Sequence, residues 1–210
     1  MCTRYYMEMN PELRPIVEKA QGISLTHKMI DKLGKPLKTE GEIRPTDMVP
    51  VIAPDRSGNR AVFPMVWGYT MPGLDRPVVN CRLETAPQKD VWKEGWESHR
   101  CIIPASWYFE WEHIPTADGK MKAGQKYMIQ PAGEQMTYLA GIYRFEEYRD
   151  LKYPVFAVLT KEPTEALSKI HNRMPLILPS SAIDEWTKPD NKPEEIMKKA
   201  LTDLYIEKAQ

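Results

Sequence analysis

The second residue of the chain is a cysteine, a side chain small enough for methionine aminopeptidases to remove Met1 ahead of it. The mature chain would then begin with an α-amine and a thiol on adjacent carbons. A terminal amine titrates near roughly pH 8, so much of it is neutral and nucleophilic under physiological conditions. Such an amine adds to an aldehyde, and the thiolate closes on the resulting imine to give a five-membered thiazolidine. Both groups must be unblocked, which only the terminal position supplies. Taken alone, a cysteine at residue 2 is more often an incidental part of a frayed terminus.

Other residues have the chemistry to assist. His171 lies in I-H-N-R-M-P, after a short apolar helical stretch and before Leu176 to Leu178. Its imidazole exchanges protons near neutral pH, although a satisfied buried histidine is the commoner reading of such a position. Arg173, two residues on, would share its face if extended and could reach a phosphate. Glu110 sits within W-Y-F-E-W. On a strand, Tyr108 and Glu110 share one face while Trp107, Phe109 and Trp111 share the other. Aromatic surroundings desolvate a carboxylate, raise its pKa and suit it to acid–base work; pairing with Arg100 or Arg82 is the structural rival.

Asn80 and Arg82 alternate in V-N-C-R-L-E-T, where an amide and a planar cation on one face could orient a sugar–phosphate group. Glu84 would continue the row and could pair with Arg82. Trp67, before Gly68, can stack on unpaired bases, against the more usual role of core packing. His99 and Cys101 have no second ligand pair at zinc spacing, and phosphate loops and nucleophile elbows are absent. The residues therefore call for no metal and no cofactor.

These side chains need a scaffold. Nineteen prolines limit helix length. Helices are expected from Asn10-Pro11-Glu12 through Val17, at Lys89 to His99, at Glu162 to Ile170, and at the C-terminus over Ser181 to Thr187 and Pro193 to Tyr205. Strands are expected at Val49 to Ile52, Arg60 to Trp67, Val78 to Cys81, Arg100 to Ile103, Trp107 to Trp111, Gln125 to Ile129, Met136 to Tyr143 and Tyr153 to Leu159. Strands outnumber helices without regular alternation. The expected fold is α+β: a β-rich single domain over residues 1–210, mainly antiparallel and barrel-like, with short peripheral helices and a helical C-terminal stretch over 180–207.

Lys and Arg number 29, as do Asp and Glu, so no overall field draws the chain onto a polyanion. That weighs against a general nucleic-acid coat and leaves room for a local basic groove. Three cysteines form neither an even framework nor a C-x-x-C pair. With no apolar window of membrane-spanning length, the sequence reads as a soluble cytoplasmic protein.

Six segments, in order, carry a resemblance: M-C-T-R, V-W-G-Y-T-M-P, N-C-R-L-E-T, R-C-I-I-P-A-S-W-Y-F-E-W, A-G-I-Y and H-N-R-M-P. Together, from Met1 to about Leu178, the chain resembles the SOS response-associated peptidase (SRAP) family of abasic-site processing proteins. The resemblance implies that Cys2 forms a thiazolidine with the aldehyde of an abasic sugar, shielding the lesion during the DNA damage response. By match, Asn80, Glu110 and His171 complete the catalytic set, and Arg4, Trp67, Arg82 and Arg173 are DNA-binding. It further implies a bent single strand in a positive channel near a single-strand/double-strand junction, lyase-like release, and a monomer that joins the nucleoid when DNA is damaged. Thr3, Cys81 and Trp107 depart from residues usual in the family, and none of them removes a catalytic group. Two other functions compete: an autoprocessing cysteine peptidase that cleaves Met1–Cys2, and a non-covalent single-strand binder.

Overall fold

A computed structural model describes residues 2–209, so the removal of Met1 lies outside the described residues. With elements numbered in chain order, five strands close a barrel. They are β3 (Met48–Pro54), β4 (Arg60–Trp67), β6 (Arg100–Ala105), β9 (Thr137–Tyr148) and β10 (Leu151–Lys161). The circuit runs β3–β4–β10–β9–β6 and back to β3, antiparallel at each step except β4–β10, which is parallel. Closure removes the exposed edges that a flat sheet would leave. Short strands extend its rim: β5 (Asn80–Arg82) and β11 (Met174–Pro175) pair with β10, and β12 (Ile177–Leu178) pairs with β9.

A second sheet has the order β13–β8–β7–β1–β2, from β13 (Leu204–Lys208), β8 (Met121–Pro131), β7 (Trp107–Pro115), β1 (Arg4–Met7) and β2 (Gly41–Ile43). Ser106 joins barrel to sheet between β6 and β7. Its N–H donates to Tyr6 O at 2.8 Å, its Oγ accepts from Glu8 N at 2.8 Å, and its carbonyl accepts from Thr137 Oγ1 at 2.8 Å. Buried residues of the barrel and of the second sheet form one hydrophobic cluster.

The helices are peripheral and short: α1 (Leu13–Gln21), α2 (Ser24–Leu33), α3 (Asp90–Ser98), α4 (Glu165–Ser168), α5 (Ile183–Thr187) and α6 (Pro193–Met197). Asn10 caps α1 as its residue type implies, its Oδ1 accepting from the N–H groups of Glu12 and Leu13 at 3.0 and 2.8 Å. Arg100 is fully buried and has a structural task. Its guanidinium donates to the carbonyls of Trp96 (2.8 Å), Trp186 (2.7 Å), Asn191 (3.0 Å) and Lys188, tying the ends of α3 and α5 to β6. That disposes of Arg100 as a partner for Glu110.

The expected α+β, β-rich, barrel-like class is the one observed. The C-terminus differs from expectation: α6 stops at Met197, and Leu204 to Lys208 form an edge strand on β8. Ile196, Met197, Ala200, Leu201 and Leu204 fit a helical stripe by spacing. Yet Leu201 N–H bonds Ile177 O at 2.9 Å, and Leu204 and Ile206 pack inward on β8, so tertiary pairing prevails over local period. Among the described residues no helix is long and apolar enough to cross a membrane.

Candidate active site at the chain start

Cys2 begins the run into β1 and is buried at the seam between sheet and barrel rim, with 1% of its surface exposed. Its backbone carbonyl accepts a hydrogen bond from Asn80 Nδ2 at 2.9 Å. Asn80 is itself fixed because β5 runs parallel to β10, with Asn80 opposite Val158. A residue 78 positions away thus clamps the chain start to the barrel.

Glu110 is on β7, opposite Tyr127 of β8, and His171 follows α4. Both side chains are almost wholly buried, and His171 Nε2 lies 3.7 Å from Glu110 Oε1. His171 Nδ1 lies 3.0 Å from the Arg173 N–H and 3.2 Å from the Arg173 carbonyl. The backbone N–H is fixed and needs a lone pair, which assigns the neutral ring's proton to Nε2, the nitrogen facing Glu110. Burial pushes the Glu110 carboxyl above the usual range. The imidazole is pushed down to about 4, by burial first and then by neighbouring positive charge, His113 included. The low-dielectric pocket therefore favours a neutral acid beside a neutral base. Burial, and then the Glu110 charge, raise the Cys2 thiol to about 12.

Cys2, Asn80, Glu110 and His171 come from the chain start, the barrel rim, the second sheet and a post-helix loop, and the fold gathers all four. The DNA-binding set is placed less uniformly. Arg82 is exposed on β5, and among the described residues its guanidinium makes no ion pair. Arg4 is half-buried, donates to Thr3 O at 2.6 Å and pairs with Glu42 at 3.4 Å. Arg173 forms a bidentate pair with Glu84 at 2.8 Å on both arms and also donates to Thr160 O. Glu84 leaves the expected row because Leu83–Thr85 turn into a 3-10 helix, and its partner is Arg173, not Arg82.

Trp67 corrects the expectation of a stacking platform. It is fully buried, its Nε1 donates to Val79 O at 3.0 Å, and it stacks on Phe156 at 6.0 Å with Tyr5 at 5.2 Å. No ring face is open to a base, because the β4–β10 pairing carries it inward opposite Phe156.

Two residues that the sequence did not single out line the approach. A groove of about 510 Å³ is bounded by Thr3, Arg4, Arg44, Pro45, Arg76, Pro77 and Val79. A second cavity of about 490 Å³ shares Thr3, Arg76, Pro77 and Val79, and continues to Leu74 and Asn80. Arg44 and Arg76 thus stand with Arg4 along a groove that passes Thr3, next to the buried cysteine. Neither lies in a distinctive motif; only the fold brings them together.

Barrel, sheet and clamped chain start bring Cys2 to the seam that holds the buried carboxyl–imidazole pair. The family model described as SOS response associated peptidase (SRAP) matches residues 1–209, and this chain belongs to that family. YoaM of Bacillus subtilis, an abasic site processing protein, is 28% identical over 167 residues, which cover 76% of this chain and 70% of YoaM. Escherichia coli YedK, of the same description, is 30% identical over 137 residues, covering 65% of this chain and 59% of YedK. A crystal structure from Bacteroides thetaiotaomicron superposes with TM-score 0.74 at 19% identity over 100% of this chain and 92% of its own, a likeness of fold.

Proposed function

We propose that this chain processes abasic sites in single-stranded DNA by forming a covalent thiazolidine through Cys2 once Met1 is removed. The observation that carries the reading is the Asn80–Cys2 clamp, which holds the chain start at a seam shared with the Glu110–His171 pair. The names of the relatives support the substrate class.

The abasic sugar is mainly a closed hemiacetal, and proton transfer by the buried pair opens it to the aldehyde. The Cys2 amine adds to C1′, and the carbinolamine loses water to give an imine. Cys2 Sγ then adds to the same carbon, and its proton passes through Glu110 to the imine nitrogen. One water is released overall. A carboxyl held above its usual range delivers and recovers protons more readily than a solvated one. Positioning by Asn80 supplies the entropic part of the rate enhancement. Reversal through the same groups returns the aldehyde, with Glu110 in the lead. Arg4, Arg44, Arg76 and Arg82 offer charge to the flanking phosphates, with a single-strand/double-strand junction as the preferred setting.

The test mixes mature protein with an abasic single-stranded oligonucleotide on a denaturing gel. A shifted band for the native terminus is expected, and none for Cys2→Ala or an N-terminally extended form. Equal bands in all lanes would refute it. The autoprocessing reading has Glu110 or His171 as the base for the Cys2 thiol, whose pKa the Glu110 charge raises rather than lowers. It requires spontaneous loss of Met1 in the absence of any aminopeptidase, which intact mass reads directly.

A further inference from the structure

Strand alternation puts Arg4, Glu42, Phe109 and Lys126 on one face of the second sheet, the face opposite to Glu110. Arg4 stands across from Phe109 in the β1–β7 ladder, Glu42 across from Tyr6 in β1–β2, and Lys126 across from Trp111 in β7–β8. Three cations meet there at the Glu42 carboxylate. Arg44 Nε lies 2.9 Å and Arg4 Nε 3.4 Å from Oε1, and Lys126 Nζ lies 3.1 Å from Oε2. Among the described residues none of the three has a second carboxylate in ion-pair range, so one negative charge answers three positive ones. Lys126 is also held over the Phe109 ring, 3.8 Å from its centroid. Burial would raise the Glu42 carboxyl, but hydrogen bonds from Lys126 and Arg44 outweigh it and hold the group below its usual range. The carboxylate is therefore charged at working pH. Arg4 and Arg44 also line the groove of about 510 Å³ that passes Thr3.

We propose that Arg4, Arg44 and Lys126 form a binding site for one phosphodiester of the single strand, and that Glu42 fills it in the free protein as an internal stand-in for that phosphate. The inference rests on the reading of this chain as a processor of single-stranded DNA. It adds Lys126 to the groups that grip the strand and gives Glu42 a part in regulating the grip. A phosphate arriving along the groove takes over the three donors, and the Glu42 side chain turns toward solvent. The exchange costs little, because Glu42 is only half-buried and Arg44 is exposed, and ion pairs at such positions are weak. The carboxylate thus loosens the hold on intact strands, and retention at a lesion depends on the covalent bond.

Fluorescence anisotropy with an undamaged single-stranded oligonucleotide, titrated between low and physiological salt, reads the site. Glu42→Gln keeps the shape of the side chain and removes its charge. Binding should tighten about tenfold at low salt, and the log Kd against log salt slope should steepen by about 0.7, the mark of one more phosphate neutralised. Lys126→Met should cost more binding in the Glu42→Gln background than in native protein, because there its charge answers only the strand. Glu207→Gln is the control: Glu207 sits on the same sheet opposite Met128, accepts from the Tyr205 hydroxyl and pairs with none of the three cations. It changes the net charge equally and should leave binding near the native value. Glu42→Gln within about twofold of native, or Glu207→Gln tightening as much as Glu42→Gln, would overturn the inference. The oligonucleotide carries no aldehyde, so failure of native protein to crosslink an abasic strand would sink the thiazolidine reading separately.

Discussion

His171 Nε2 stands 3.7 Å from Glu110 Oε1, with both side chains removed from solvent and the imidazole's other nitrogen held by the Arg173 N–H. Desolvation drives the carboxyl up and the imidazole down, so the proton the pair holds rests on Glu110 and the ring stays neutral. A pair of that kind can give and take a proton within one reaction.

Glu110→Gln keeps the shape of the side chain and removes its proton exchange. Crosslink formation and reversal should slow by about a hundredfold, the usual scale of general acid–base assistance. Thermal stability should be little changed, since burial already disfavours the charged form of Glu110. Single-turnover gels with a melting curve check both, and unchanged kinetics would take Glu110 out of the mechanism.

His171 also predicts a pH dependence of stability. Its pKa falls from 6.5 unfolded to about 4 folded, so between those values the unfolded chain binds the extra proton. This contribution is fully present above 6.5 and is lost as pH falls toward 4. It amounts to about 3 kcal/mol at most, from the size of that shift. Urea unfolding of native protein and His171→Asn should give stability curves that converge as pH drops through the window. Parallel curves would count against a buried neutral imidazole.

The groove makes a prediction about salt. Arg76→Ala should weaken single-strand binding and flatten the log Kd against log salt slope by about 0.7, and Arg44→Ala should do less because Glu42 pairs with its guanidinium at 2.9 Å. Arg173→Ala should change that slope least, because Glu84 already neutralises its guanidinium on both arms. Anisotropy titrations between low and physiological salt decide it.

Arg100→Ala should destabilise the fold by about 3 kcal/mol or more, since several buried carbonyls at the ends of α3 and α5 lose their donor. Denaturant midpoints measure this directly, and a loss under 1 kcal/mol would mean that water replaces the guanidinium.

Much of this molecule was legible in its residue order. The strand expected over Arg60 to Trp67 is the observed β4, and seven other expected strands lie within or overlap real ones, because β-branched and aromatic runs bounded by turn residues carry their own signal. The face shared by Tyr108 and Glu110 followed from strand alternation alone. β1 escaped notice: Arg4–Met7 is only four residues long, and its extended form comes from pairing with β2 and β7. α2 was missed although Leu25, Met29 and Leu33 recur at helical spacing, and Gly34 closes it in the left-handed conformation. At the site, residue type pointed to Cys2, Glu110 and His171, whereas Arg44, Arg76 and the cations gathered on Glu42 depend on contacts distant in sequence. Trp67 shows the reverse failure, a side chain suited to stacking on bases that the β4–β10 register places in the core.

The most direct measurement is the intact mass of the species formed with an abasic oligonucleotide. The account predicts a chain lacking Met1, plus the oligonucleotide, minus one water, with fragmentation placing the bond at Cys2. An adduct on a chain that still carries Met1, or attachment at Cys81, Cys101 or a lysine, would contradict it.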